Sequence, residues 1–206
     1  MPERELLRET EWSRLYRAGP NTIVYESKFQ SGELQISAAS LRERWPGWLH
    51  VEQLDFATAF QVKPVLTADD QEILTFLMEA GSEDVCSSIA YLLPQSEDRE
   101  RAVSFLLQRV RAGGRDAACY YQALERIGDA RAIPPLRQRY EEYRRKLAPF
   151  EQHGLHSELS DYDRCCRALW KLGGSAEYEE ALKELLTHPD ESIRKRAGSL
   201  LSDLAF

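Results

Sequence analysis

Four segments of this 206-residue chain repeat one pattern, and the repeat constrains the fold more than any other feature. A two-helix unit that recurs along a chain cannot cover its own apolar face, so neighbouring units must stack on one another. The segments are SIAYLLPQSEDRERAVSFLLQRV, QALERIGDARAIPPLRQRY, RALWKLGGSAEYEEALKELL and KRAGSLLSDLAF. Each carries two adjacent small or apolar residues and a third one turn later: Ile89-Ala90-Leu93, Ala123-Leu124-Ile127, Ala168-Leu169-Leu172 and Leu200-Leu201-Leu204. The last members lie 34, 45 and 32 residues apart. KLAPFEQHGLHSE (146–158) fills the long middle interval, and its Pro, Gly and two His read as an enlarged loop.

Local signals divide residues 70–204 into eight helices, expected at 70–80, 83–93, 97–111, 115–127, 131–147, 158–172, 176–187 and 190–204. Gly128, Gly173 and Gly174 stand where a left-handed C-cap falls. Ser96, Asp129, Ser175 and Asp190 stand at N-cap positions, and Pro134 and Pro135 fit only a first helical turn. The eight helices make four antiparallel pairs. Upstream, RELLRETEWSRLYRAG predicts one helix, and SAASLRERWPGWLHVEQLDFATAFQVKP predicts two, broken at Trp45-Pro46-Gly47. The only β-leaning run, NTIVYESKF (21–29), is too short to build a sheet alone.

ALERIGDARAIPPL and THPDESIRKRAGSLL resemble HEAT repeats of the short bacterial type. Asp190, Ile193, Arg194 and Ala197 match the opening of that family's second helix, and Gly128-Asp129 match its Gly-Asp turn. The resemblance covers about 68–206 and is weakest in the third repeat, where Gly173-Gly174-Ser175 replace the turn. It implies an all-α fold: an α-solenoid of about four HEAT-like antiparallel helix pairs over 68–206. Residues 1–67 are then expected to form an N-terminal helical cap with Trp12, Trp45 and Trp48 packed inside. The end at Leu204-Ala205-Phe206 has no polar cap, and homo-oligomer contacts through this apolar C-terminus are an expectation.

Chemistry is hard to find in the sequence. It has no GxGxxG, P-loop or HExxH motif. Cys86, Cys119, Cys165 and Cys166 sit inside apolar helical patterns without metal or disulfide spacing, so small buried thiols are expected. His153 and His156 form HxxH in the long loop, but two loop histidines without a fixed third ligand do not make a zinc site. No catalytic residue, metal or cofactor is expected. The charged start and the absence of a long apolar run suggest the cytoplasm rather than a secretory signal or a membrane span.

The net charge of −7 argues against wholesale nucleic-acid binding, but it is unevenly spread. Residues 68–98 hold eight acids and no Lys or Arg (−8), whereas 99–146 hold twelve bases and six acids (+6). If the second helices line a concave face, as the resemblance implies, aligning them on their apolar anchors gives three outward rows. These are Val85/Cys119/Arg164/Arg196, Ser88/Gln122/Arg167/Ser199 and Leu92/Arg126/Lys171/Asp203. Arg164, Arg167 and Lys171 are spaced i, i+3, i+7 on one helical face. With Gln122, Arg126 and Arg196 they could make a basic strip suited to an acidic segment or phosphates. The competing reading pairs them with nearby acids, Asp161, Asp163 and Glu125. The function expected is therefore a non-catalytic protein–protein interaction scaffold whose protein partner is unknown. The alternative is a nucleic-acid-binding protein, by analogy with HEAT-like DNA glycosylases.

Overall fold

The computed structural model describes residues 5–9, 13–19, 22–27, 33–61, 66–113, 117–147 and 156–202. It is predominantly helical, but the chain opens with four strands: β1 (Glu5–Glu9), β2 (Ser13–Gly19), β3 (Thr22–Ser27) and β4 (Glu33–Ile36). They form an antiparallel sheet in sequential order. This corrects the helix expected over RELLRETEWSRLYRAG and the helical cap expected over 1–67. The physical reason is pairing. Tyr16 stands opposite Val24 and Leu15 opposite Tyr25, so the β-leaning run is one strand of four rather than an isolated one. Glu9 and Arg14 face each other across β1 and β2 and form an ion pair at 2.7 Å.

Ten α-helices follow among the described residues: α1 (Ala38–Arg44), α2 (His50–Phe60), α3 (Ala68–Ala80), α4 (Glu83–Ile89), α5 (Arg99–Ala112), α6 (Ala118–Ile127), α7 (Ile133–Leu147), α8 (His156–Gly173), α9 (Ala176–Glu184) and α10 (Glu191–Ser202). From α3 onward these reproduce the eight expected helices, with α4 and α9 each finishing as a 3-10 turn. The described residues gather into two compact units, 1–102 and 103–206, that divide within α5.

In the first unit, α1 and α2 pack against the sheet, α3 packs against α1, and α4 against α2 and α3. The expected break at Trp45-Pro46-Gly47 is a 3-10 turn. Trp45 and Trp48 are buried there, with Trp45 5.7 Å from Trp48 and 5.8 Å from Phe76 of α3. Trp12 lies outside the described residues. Hydroxyl and carboxylate caps start the helices. Ser37 and Thr67 each close a reciprocal box with the residue three further on, Ser40 and Asp70.

In the second unit α8 is the central element, in contact with α6, α7, α9 and α10. Ala118 donates its backbone N–H to Asp161 at 2.9 Å, and Arg167 donates to Glu125 at 3.0 Å. Positions rise together on α6 and α8, so the two helices run parallel. On α7 they fall as those on α8 rise: the Cys165 thiol meets the Leu136 carbonyl, Tyr162 stacks on Tyr140, and Asp161 meets Tyr143. That pair is antiparallel. Tyr178 of α9 sets its edge on Tyr140 at 5.0 Å and accepts a hydrogen bond from Arg137 at 3.1 Å.

The expected helix punctuation is largely present. Gly128 and Gly174 have φ of 73° and 64°, and Asp129 accepts from the Arg131 N–H at 2.9 Å. Pro134 and Pro135 lie in the first turn of α7. Ser96 does not cap α5; Asp98 does, accepting the Arg101 N–H at 3.0 Å. At the other end of α5, Arg139 of α7 covers the exposed carbonyls. Its Nε donates to the Val110 carbonyl and its Nη2 to the Arg111 carbonyl, each at 2.8 Å, while Nη1 meets Glu142. A cation there complements the helix dipole.

Gly113 ends α5 at φ 62°, and a Cβ added there would collide with the Arg139 guanidinium. Gly128 has a similar φ but nothing within 4 Å of an added Cβ. Gly128→Ala should therefore cost only the left-handed backbone penalty of roughly 1–2 kcal/mol. Gly113→Ala should cost that plus the displaced cap, about 1 kcal/mol more or above. Urea melts of the two variants measure the difference, and equal losses would mean that the Arg139 cap contributes nothing.

Candidate partner-binding face

The six residues of the expected strip all lie on α6, α8 and α10 of the second unit, but they do not form one continuous basic surface. Two of the five bases are engaged with acids on a neighbouring helix. Arg167 of α8 pairs with Glu125 of α6, and both side chains are largely covered, at 16% and 12% exposure. Arg196 of α10 pairs through Nε with Asp163 of α8, whose side chain is 2% exposed. The acids are two of the three that the competing reading named.

Gln122 is half-buried, Arg126 exposed and Arg164 half-buried, and none of the three side chains has a hydrogen-bond or ion-pair partner among the described residues. Lys171 is exposed, with its ammonium 5.1 Å from the Trp170 ring centroid. The rows proposed from the sequence also need correction at their other members. Val85, Leu92 and Cys119 are buried and point inward, because each is needed to cover its own helix. Ser199 is exposed, and Asp203 falls outside the described residues.

The two pairs differ in their surroundings from a surface ion pair. Glu125 Oε2 and Asp163 Oδ1 are buried and have no hydrogen-bond partner among the described residues, so each carboxylate is satisfied on one side only. Burial holds the Asp163 carboxyl up at about 6, with Arg196 and then Arg164 pulling in the opposite direction. Asp163 therefore meets one guanidinium group, that of Arg196 on α10, and feels the charge of a second, that of Arg164 on its own helix.

A buried relay that the sequence did not disclose lies on the other side of α8. The Tyr121 and Tyr143 hydroxyls are 3.0 Å apart, and Tyr143 donates to Asp161 Oδ2 at 3.3 Å. Asp161 Oδ1 accepts the Ala118 N–H. Burial pushes both phenols well above their ordinary range, so they remain neutral donors. The signal available was two tyrosines and an aspartate in apolar helical positions, which also describes ordinary packing.

The four cysteines are buried, as expected, and burial raises the Cys165 and Cys166 thiols out of the reactive range. Among the described residues, no group of three or more His, Cys, Asp and Glu could hold a metal ion. His153 lies outside the described residues, as does Leu204-Ala205-Phe206. His50 contacts Asp84 at 3.1 Å on the surface of the first unit. No described helix is long and apolar enough to cross a membrane. Comparison with known proteins returns no matching family model, curated protein or solved structure.

Two predictions follow from the pairs. Arg167→Gln leaves the covered Glu125 charge without its partner and should destabilise the protein by about 3 kcal/mol. Arg126→Gln and Lys171→Gln should each stay within about 0.5 kcal/mol of wild type. Denaturant unfolding separates them, and a silent Arg167→Gln would show that the pair is not structural. The second prediction concerns pH. A folded-state carboxyl value raised above the unfolded one contributes stability below the unfolded value, and that contribution is lost as pH rises through the folded value. Relative to Asp163→Asn, wild type should gain about 2 kcal/mol between pH 7.5 and pH 4.5. A pH-independent difference between the two melts would contradict the burial effect.

Proposed function

We propose that this protein is a non-catalytic interaction scaffold in which HEAT-like helix pairs stack and the α6–α8–α10 layer receives an acidic segment of a protein partner. The observation that carries this reading is the division of labour among the bases. Arg167 and Arg196 tie neighbouring helices together, while Arg126, Arg164 and Lys171 project from the same helices without an ion-pair partner among the described residues. The parallel course of α6 and α8, with α7 antiparallel beside them, is the arrangement that stacked helix pairs require.

Charge spacing favours a peptide over a nucleic acid. A duplex carries one charge per ≈ 1.7 Å and is bound by basic surfaces that displace its condensed counterions. Here the unpaired bases share their helices with Glu125 and Asp163, so the positive charge is discrete. Separated side-chain carboxylates match discrete charges, and Arg can hold each with a bidentate contact.

The test is fluorescence anisotropy with a labelled deca-aspartate peptide, comparing wild type with Arg126→Glu/Arg164→Glu/Lys171→Glu. Arg167 is left intact so that the Glu125 pair, and with it the fold, is preserved. Wild type should bind at low ionic strength and release the peptide as salt is raised, and the triple variant should not bind while melting normally. Binding that survives the triple reversal would place any acidic contact elsewhere, and a duplex DNA that competes better than the peptide would favour nucleic acid.

A further inference from the structure

We infer that Arg196 is an anion subsite that Asp163 fills from inside the protein and leaves when it takes a proton, so the face binds an acidic partner more tightly in mild acid. This inference rests on the binding reading above and adds a regulation to it.

The geometry supplies the parts. Asp163 lies on α8 with its side chain covered, and its Oδ2 meets the Nε of Arg196, which reaches over from α10. Arg164, the next residue on α8, is close enough to act on the same carboxylate. Asp163 Oδ1 has no hydrogen-bond partner among the described residues, and the ionised form is favoured first by Arg196 and then by the charge and backbone N–H of Arg164. Arg196 keeps 35% of its side chain exposed, so a group arriving from solvent can reach it while Asp163 holds it from below.

A bound carboxylate internal to the protein competes with any carboxylate brought by a partner. While Asp163 is ionised, a ligand must displace it from Arg196 and leave a charge in a covered site without its counter-ion, which is costly. Once Asp163 is neutral, the Arg196 charge is uncompensated and the ligand meets a free guanidinium group there. Burial places this proton uptake near pH 6. Ordinary aspartate side chains of a ligand remain ionised there, since their unperturbed value is about 3.9.

The charged and titratable groups around Asp163 are few. Arg196 faces it from α10, and Arg164 and the Cys166 thiol lie beside it on α8. From α6, Glu125 is engaged with Arg167, and Arg126 is exposed. From α7, Arg137 is engaged with Tyr178, and Tyr140 and Tyr162 stack on each other on that side of α8. From α9, Lys183 is held by Glu179 and Glu180. The Cys166 thiol and the buried phenols are raised above the neutral range and stay uncharged throughout. His188 precedes α10 and accepts the Asp190 N–H through Nδ1, and every variant below retains it.

The experiment measures binding of labelled deca-aspartate by anisotropy at pH 7.5 and 5.5, at fixed ionic strength, for wild type, Asp163→Asn and Arg196→Gln, with carboxyl carbon-13 titration of wild type. Wild type should bind roughly fivefold tighter at pH 5.5, the worth of one added ion pair of about 1 kcal/mol. Asp163→Asn should bind at pH 7.5 as tightly as wild type at 5.5. Arg196→Gln should bind weakly at both, and the double variant Asp163→Asn/Arg196→Gln, which strands no covered carboxylate, should do the same while melting normally. The carboxyl resonance of Asp163 should titrate between the two pH values. A wild-type pH dependence that persists in both single variants, or an Asp163 carboxyl that titrates with ordinary aspartates, overturns the inference while leaving the scaffold reading in place. Binding at neither pH overturns both.

Discussion

The second half of the chain depends on how α8 satisfies two aspartates that it cannot expose. Asp161 and Asp163 are two residues apart, so they leave the helix about 200° apart and face opposite sides. Asp161 meets the Ala118 N–H of α6 and the Tyr143 hydroxyl of α7, and Asp163 meets Arg196 of α10. A helix covered on several sides is usually held by apolar packing that tolerates a small slide. Here a slide by one turn would strand two carboxylates in a covered setting, at a cost of several kcal/mol each. The aspartates therefore fix the register of α8 against its neighbours on both sides.

Replacing such pairs by apolar residues of similar volume is often neutral or stabilising, so total stability is a poor account of why these charges are there. Register is a better one, and it joins the fold to the surface. Glu125–Arg167 and Asp163–Arg196 connect α6 to α8 and α8 to α10 in succession. The helices that carry Arg126, Arg164 and Lys171 are thus held at fixed offsets by the acids and bases between them. A binding face assembled from several helices needs that fixity, because each interhelix slip would change the spacing of its charges.

The helical array was legible because its signals are local. Gly128 and Gly174 ended α6 and α8 as left-handed caps, Asp129 capped the turn that follows, and Pro134-Pro135 marked the first turn of α7. Those residues act within a few positions of themselves. The N-terminal sheet was not legible for the opposite reason. Its strands are short, and each is stable only through a partner such as the Tyr16–Val24 pair, which no single segment displays. SRLYRAG shows no polar–apolar alternation, and RELLRETEWSRLYRAG carries apolar residues at helical spacing, so the segment on its own reads as a helix. The candidate face was half legible. Spacing put Arg164, Arg167 and Lys171 on one helical side, but which of them a neighbouring acid would occupy depends on α6 and α10, fifty or fewer residues away in sequence and adjacent only in the fold.

The occupied and unoccupied bases have different consequences for any partner. A pair such as Arg167–Glu125, covered on both sides, is shielded from salt and contributes a fixed shape. Arg126 and Lys171 stand in solvent, where a single contact is worth about 1 kcal/mol or less and is screened within about a Debye length. Two such contacts give an encounter that is fast and reversible, and that alone cannot reach the affinity of a large apolar interface. Tight binding on this face therefore requires a covered anion site in addition to the exposed charges, and Asp163 marks where one exists. It is the position on the face at which a guanidinium group, that of Arg196, meets a carboxylate removed from water, and there an ion pair is screened least.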